Sequence, residues 1–514
     1  MIRAYWVADV RVVEEAAMAE LPDGVLMQRA AQGLADIAMT RAQQRGAQRV
    51  VALVGAGNNG GDTLYAAAHL AAAGYSVSAI CASSGTIHPG GTQAAEDAGI
   101  DLLAGALDDS VQQQWRAHLS AAEIVIDGIT GIGGRPGLRE EARAWVEAIP
   151  DPAYIVAVDL PSGVDPDGMI GTADCVFADE TVTFGEPKPC HLLPATEPMT
   201  GRLSVVDIGL DFSGCTPAVT RLTHDDVAGL WPRPSAATDK YSRGVLGAVV
   251  GSTAYPGAAV LSALGALGVG TGMVRHVAPP AVVALVHQHA PEVVAAPGRV
   301  QAWVLGSGVD PAAETKAGGD GQVAAIESAL AASEPCVVDA GALDLIGRRE
   351  DSPVRVLTPH AGELARLLTR LEIRVEGAGA GETGAAPGAP TDPVTRDQVL
   401  AAPVAHAQAA ADELKAVVLL KGATTLVVCP SSWGQPVCAQ ADAPPWLATA
   451  GAGDVLGGIL GALLASGLEP ADAAALAALV HGVAADQVNP GGPVRVLDLA
   501  RSLPHTVAAL LGDR

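Results

Sequence analysis

Two glycine-rich turns in this chain each carry a carboxylate. Arg49 to Asp62 read RVVALVGAGNNGGD, an apolar strand pattern running into Gly55, Gly57 and Gly60 and then Asp62. Trp446 to Gly458 read WLATAGAGDVLGG, with Asp454 at the turn and an apolar helical pattern behind it. The first N–H groups of a helix have no intrahelical acceptor, so both turns are anion sites. In the first, Asn58, Asn59, Gly60, Gly61 and Asp62 add two amides and a carboxylate. These can serve a cation and a phosphate, or simply cap a turn. An ordinary nicotinamide site also needs an acid at the end of the next strand, to hold the ribose. That strand, YSVSAICAS, ends in Ala82, Ser83 and Ser84, so a plain dehydrogenase is not expected.

Further oxygens stand at later strand ends. Asp127 ends EIVIDGI and precedes a glycine-rich loop of Gly131, Ile132, Gly133, Gly134, Arg135, Pro136 and Gly137. Asp159 ends YIVAVDLPSG, with Ser162 three residues on. In an open parallel sheet such ends converge on the ligand crevice. Asn59, Asp127 and Ser162 together suit a monovalent cation, which leaves Asp159 for proton transfer. Strand-end capping is the alternative for both aspartates. Around the second turn, Lys421, Gly422, Ala423, Thr424 and Thr425 follow the strand AVVLL and can hold nucleotide phosphates. Thr358-Pro359-His360 with Glu363 ends another strand, and Gly306-Ser307-Gly308 and Tyr255-Pro256-Gly257-Ala258 allow close backbone approach. Asp454 can deprotonate a hydroxyl nucleophile while the N–H groups of Gly451 to Gly453 receive a transferring phosphoryl group.

The elements that must position these residues alternate regularly. After helical patterns over Asp9–Arg45, strand-like runs (VVALVG, YSVSAICAS, EIVIDGI, YIVAVDLPSG, ETVTFG, LSVVDIG) alternate with helical ones. A polar, proline-containing stretch (Thr223–Lys240) leads to a second series: VLGAVVG, MVRHVA, AWVLGSG, CVVDAG, VRVLTPH, VVLLKGA and TTLVVCP, then a long helical C-terminus from Asp454. Such alternation predicts parallel sheets covered on both faces. Residues 375–394, VEGAGAGETGAAPGAPTDPV, lack the bulk to offset ordering entropy and are expected to form a disordered insertion. No internal repeat is evident.

The 514 residues allow two to four domains. A net charge of −25 argues against nucleic acid and anionic membranes as partners. The seven cysteines form no CxxC pair, which predicts reduced thiols in a cytoplasmic protein. Gly244–Val274 carries no charged residue, but its proline and glycines predict a buried strand, turn and helix rather than a membrane span.

GAGNNGGD, VIDGITGIGG and VDLPSGVDPDG resemble the epimerase domain of the bifunctional NAD(P)H-hydrate repair enzymes, a Rossmann-like fold related to apolipoprotein A-I-binding protein. VLGSGVD, VVDAGALDLI, LTPHAGELARLL, LLKGATTLV and LATAGAGDVLGG resemble their ribokinase-like dehydratase domain. The resemblance implies an α/β chain with a Rossmann-like three-layer domain over 1–213, a connector at 214–240 and a ribokinase-like α/β domain over 221–514. It implies that hydrated NADH or NADPH (NADHX, NADPHX) binds Asn58 to Asp62, Gly131 to Gly137 and Asp159, with potassium at Asn59, Asp127 and Ser162. In the second domain it implies hydrate contacts from Ala258, Gly308, His360 and Asp454. ADP or ATP with magnesium would sit at Lys421 to Thr425 and Gly453, and a homo-oligomer is expected. Thr63 stands where the family continues with glycine, which predicts a side chain near the phosphate approach. Ala450 and Ala452 stand where it has glycine and a hydroxyl residue. The rival reading is a ribokinase-like kinase for a small alcohol with a nucleotide-binding regulatory first domain.

Overall fold

The computed structural model describes residues 1–314, 320–348, 354–375 and 393–512. It consists of two compact units, Arg3–Val219, and Thr220–Arg514 with Met1–Ile2. The insertion expected at 375–394 lies, apart from its ends, outside the described residues.

The first unit holds a parallel sheet in the order Asp101–Ala104, Ser76–Cys81, Arg49–Val54, Ile124–Gly128, Tyr154–Val158, Glu180–Phe184, Arg202–Val206. Side chains alternate across a strand, so Val50, Ala52 and Val54 join one core with Leu34, Leu64 and Leu70. Val51 and Leu53 join a second core with Trp115 and Trp145. Helices therefore cover both faces, which makes three layers and explains why this strand is apolar throughout. Strand order reverses between Arg49–Val54 and Ile124–Gly128, and a crevice opens beyond their carboxyl ends.

The second unit's sheet runs from one edge through Met273–His276, Val245–Val249, Ala302–Leu305, Cys336–Val338, Arg355–Leu357, Val417–Leu420, Thr425–Val428 and Val437–Gln440. All are parallel up to Val417–Leu420, and the last two pair antiparallel. Small residues let the helices Pro256–Gly268 and Ala452–Ala465 touch. A Cβ on Gly458 would lie 2.1 Å from the Ser262 carbonyl, and one on Gly265 2.5 Å from that of Val455. A core so poor in aromatics is built from such close backbone approach.

The structure adds detail at three places the sequence reading left coarse. The helical C-terminus is three helices, Ala452–Ala465, Pro470–Val488 and Val496–Leu511, broken near Gly467 and at the Asn489–Pro493 turn. The connector 214–240 contains the strand Val219–Arg221 and the helix His224–Leu230, whose Asp226 accepts from the Thr223 N–H at 2.8 Å. The edge strand Asp101–Ala104 and the interior strand Val437–Gln440 went unread, because four residues carry too little periodicity. Among the described residues, no helix is long and apolar enough to cross a membrane.

Candidate active sites

The first glycine turn is forced by contact. A Cβ on Gly55 would lie 1.8 Å from the Ile129 carbonyl oxygen, and one on Gly60 2.0 Å from that of Gly55. Gly57 has φ +86°, which favours glycine. The helix Asn58–Ala72 starts there without a side-chain cap, so its first N–H groups face the crevice. A cavity of about 1260 Å³ opens here, lined by Asn58, Asn59, Asp62, the loop Gly131 to Gly137, and Asp159. Gly60 and Gly61 do not line it. They are buried behind the turn, Gly61 against His88 and Met27. Thr63 does not line the cavity either. It is fully buried, its hydroxyl donates to the Asn59 carbonyl at 2.7 Å, and it packs against Gly128 of the sheet. The loop Gly131 to Gly137 is pinned by Gly137 N–H to the Gly163 carbonyl (2.8 Å) and by Leu138 N–H to Asp174 (3.1 Å).

Asp159 lies in this cavity with a partner the sequence reading missed. The Lys188 ammonium donates to Asp159 Oδ1 at 2.6 Å, to the Thr183 hydroxyl at 3.0 Å and to the Phe184 carbonyl at 3.2 Å. Lys188 is 1% exposed. Asp159 has φ +68°, a strained conformation for a residue with a side chain. His191 braces it: its Nε2 meets the Asp159 carbonyl at 2.8 Å, while its Nδ1 accepts from the Lys188 N–H at 3.0 Å. Burial, helped by Lys188, holds that imidazole down at about 4, so it is neutral. The signal for Lys188 was available in ETVTFGEPK, a lysine just past a strand end.

Asn59, Asp127 and Ser162 are brought together beside this cavity. The fully buried Asp127 carboxylate accepts from the Ser162 hydroxyl (2.6 Å), the Ser162 N–H (2.8 Å) and the Ile129 N–H (3.3 Å). Ser162 in turn accepts from the Thr130 N–H at 2.9 Å, and a Cβ on Gly131 would lie 2.9 Å from Asn59 Oδ1. Burial raises Asp127 to about 6. The Asn59 amide nitrogen and the Thr130 hydroxyl are buried without partners. Rotating the Asn59 amide by a half turn makes its unpartnered atom an oxygen. A buried carboxylate with no cationic partner among the described residues, an amide and two hydroxyls form a hard-oxygen set that fits potassium.

At the second site five neighbouring strands deliver their carboxyl ends to one place. Gly308 and Ala258 touch, since a Cβ on Gly308 would lie 2.6 Å from that of Ala258. Asp339, also missed from the sequence, follows the strand Cys336–Val338 and is the hub. It accepts from Lys421 Nζ at 2.8 Å, Thr358 Oγ1 at 2.8 Å and Ser307 Oγ at 2.9 Å. Burial opposes its ionisation, but Lys421 and the hydroxyls win and hold it below the usual range. Lys421 also lies 3.7 Å from Glu363. Gly422, Ala423 and Thr424 form the hairpin turn before the strand Thr425–Val428, with Thr424 buried. His360 caps the helix Ala361–Arg370, its Nδ1 accepting from the N–H groups of Gly362 (3.0 Å) and Glu363 (3.2 Å). The neutral ring thus carries its proton on Nε2.

The helix Ala452–Ala465 starts at Gly451, which has φ +91°. A Cβ on Gly453 would lie 3.5 Å from Lys421 Nζ and 4.0 Å from Asp339, so the turn sits directly over the hub. Ala452 is buried. Asp454 is raised to about 6, by burial first and Asp339 second, with Lys421 opposing. Asp339 and Glu363 already face Lys421, whereas Asp454 has no ion pair among the described residues. Magnesium usually takes one or two carboxylates plus substrate phosphates. It would therefore enter with the nucleotide, held through the phosphates, which leaves Asp454 uncoordinated as a proton acceptor.

A family model described as NAD(P)H-hydrate dehydratase matches residues 246–500, and one described as YjeF-related protein N-terminus matches residues 23–190. The bifunctional NAD(P)H-hydrate repair enzyme Nnr of Mycobacterium leprae is 38% identical over 523 residues, covering 98% of either chain. An NAD(P)H-hydrate epimerase of Clavibacter sepedonicus is 41% identical over 223 residues, covering 41% of this chain and 93% of its own. The crystal structure of an ADP/ATP-dependent NAD(P)H-hydrate dehydratase from Bacillus subtilis, co-crystallised with ATP/Mg2+, covers 56% of this chain at 23% identity and a TM-score of 0.46.

Proposed function

This chain belongs to the bifunctional NAD(P)H-hydrate repair enzymes, and from that membership we propose that it restores hydrated NADH and NADPH in two steps. The first unit interconverts the two C6 epimers of the hydrate. The second removes water from one of them at the expense of ADP or ATP. The observation that carries this reading is that each unit has a glycine turn at a helix start with a buried carboxyl and a lysine close to it, Asp159 with Lys188 in the first and Asp454 near Lys421 and Asp339 in the second.

In the first unit the N–H groups at the start of Asn58–Ala72 receive the dinucleotide phosphates. The Gly131 to Gly137 loop closes over the hydrated ring, and Asp159, fixed by Lys188 and His191, moves a proton at the C6 oxygen. Potassium, held by Asn59, Asp127 and Ser162 with Thr130 beside them, supplies positive charge that keeps the loop and turn together. We expect Asp127→Ala to weaken potassium affinity at least about tenfold. Potassium titration of the epimerisation rate, with sodium as control, checks this. An unchanged titration curve removes the ion from these residues.

In the second unit Asp454 takes the proton of the C6 hydroxyl as that oxygen attacks the terminal phosphoryl group. The N–H groups of Gly451 and Gly453 and the Lys421 ammonium face the charge that develops. Magnesium adds charge neutralisation at the phosphates. Phosphate, a far better leaving group than hydroxide, then departs with the C6–O bonding pair as the ring-nitrogen lone pair forms a bond to C6, and loss of a C5 proton to water restores the C5–C6 double bond and the nitrogen lone pair. His360, Ala258 and Gly308 shape the pocket for the hydrated ring.

Incubating the whole chain with mixed epimers and ADP or ATP should restore the dihydropyridine absorbance completely, since both epimers drain through one. Fragments 1–219 and 220–514 should divide the work, the first equilibrating epimers and the second consuming one. The first fragment must reach Val219, because Tyr5 stacks on Phe212 at 4.6 Å and Ala218 N–H donates to the Ala4 carbonyl at 2.8 Å. Chromatography of the epimers checks the division, and a folded but inert second fragment would overturn it. The rival alcohol-kinase reading is not favoured. It leaves the acid–base constellation of the first unit without work, and it predicts a stable phosphorylated product.

A further inference from the structure

The helix Val7–Glu20 turns Val7 and Val10 inward as a buried stripe. Glu14, one turn further on, continues that stripe and reaches the wall of the first unit's cavity. It is half-buried there, and among the described residues its carboxyl has no hydrogen bond and no ion pair. Arg11, one turn back on the same helix, spends its guanidinium on the Ile132 carbonyl at 3.1 Å. Asp62, from the glycine turn, lines the same wall and is likewise without a hydrogen-bond partner. Of the carboxyls that line this cavity, Glu14, Asp62 and Asp159 come from three separate elements and act on one another, and of these three only Asp159 has a lysine. A leucine would continue the helix stripe better than an unpartnered glutamate, so packing does not account for Glu14. Such conflicts between local rules and residue choice cluster at functional positions.

The charged groups that act on Glu14 are Lys188, Asp159 and, on its own helix, Arg11, while Asp62 is acted on by both Asp159 and Glu14. Burial, with Asp159 reinforcing it and Lys188 and Arg11 opposing, raises the Glu14 carboxyl above its usual value. Burial, then Asp159 and Glu14, raises Asp62 well above its own. One cavity therefore holds a carboxyl paired with an ammonium beside carboxyls whose surroundings favour the protonated form, the kind of separation an acid–base pair requires.

We propose that Glu14 is a second catalytic residue of the epimerase, giving a proton to the departing C6 hydroxyl while Asp159 takes one from the water that returns on the other face. This rests on the reading of the first unit as an epimerase. The C6–O bond breaks as the Glu14 proton goes to oxygen, and water leaves. The ring-nitrogen lone pair becomes the second bond to C6, giving an iminium. A water adds to C6 from the opposite face and passes its proton to Asp159, so no oxidant or co-reactant is needed. The reverse reaction exchanges the two roles.

The test uses the full chain carrying Glu14→Gln, with Glu14→Asp beside it. Glu14→Gln should lower epimerisation turnover about 10²-fold or more with little change in KM. Wild-type turnover should fall as pH rises through the Glu14 titration, because the acid must be protonated. That fall should vanish in Glu14→Gln and persist in the partly active Glu14→Asp. Dehydration of the competent epimer by the same preparation should be unchanged, and thermal unfolding should match wild type. In oxygen-18 water each wild-type turnover should place label on C6. Normal epimerisation by a folded Glu14→Gln overturns the proposal, as does epimerisation without label. Should Glu14→Gln misfold, Glu14→Asp with a wild-type pH profile and unreduced turnover is equally fatal, since the shortened acid must slow the transfer. A wild-type chain that dehydrates but never epimerises overturns instead the reading of the first unit.

Discussion

Asp454→Asn is expected to lower dehydration by about 10²–10⁴-fold, the usual cost of losing a general base, with nucleotide binding nearly unchanged. The substitution keeps the size of the side chain and the helix start at Gly451, so the N–H groups of the turn stay in place. Lys421 keeps its bond to Asp339 at 2.8 Å. What is lost is an acceptor for the hydroxyl proton. The wild-type pH dependence gives an independent check. Asp454 titrates at about 6, and a base must be ionised to act. Dehydration kcat/KM should therefore rise with pH through about 6 and level off above it, and the Asn protein should lose that rise. Calorimetry of nucleotide binding and the absorbance assay separate the two effects. Near-normal turnover would leave Asp454 as a helix cap, and epimerisation should be untouched in either case.

Lys188→Met is the second large effect, and it falls on stability as well as chemistry. The Lys188 and Asp159 side chains are 1% and 10% exposed, so the change leaves a buried carboxylate without its cation. Breaking a buried pair on one side costs about 3–5 kcal/mol. Denaturant unfolding of the first unit should shift by that amount, and epimerisation should fall at least about 10²-fold. Combining Lys188→Met with Asp159→Asn should recover much of the stability, since the unpaired charge is gone and Asn tolerates φ > 0 well. It should recover none of the activity. If Lys188→Met unfolds like wild type, the ion pair does not hold the site together.

The sequence displayed the residues that glycine turns and strand ends mark out. GAGNNGGD, Asp127, Asp159 and Asp454 announce themselves because a tight turn needs glycine and a strand end exposes its last polar residue. Lys188 and Asp339 lacked such marking. Each is a single polar residue after a strand, and its meaning depends on which strand lies beside it. Sheet order brings Glu180–Phe184 next to Tyr154–Val158, and so Lys188 to Asp159. It also sets Cys336–Val338 between the strands that deliver Ser307 and Thr358 to Asp339. Glu14 was hidden for another reason: a helix stripe does not say whether its inward face meets a core or a cavity.

The sequence by itself determined the alternation of strands and helices, the two glycine turns and their carboxylates, and the family. All of these are written in local spacing, through period-two strands, helix entries and steric tolerance for glycine. Only the tertiary structure decided that Thr63 packs into the sheet, that Gly60 and Gly61 support the turn rather than line the cavity, and that Lys421 faces Asp339 and Glu363. The direction a side chain takes, and the charge it meets, are set by contacts between segments far apart in the chain. Residue type and spacing carry no record of that geometry.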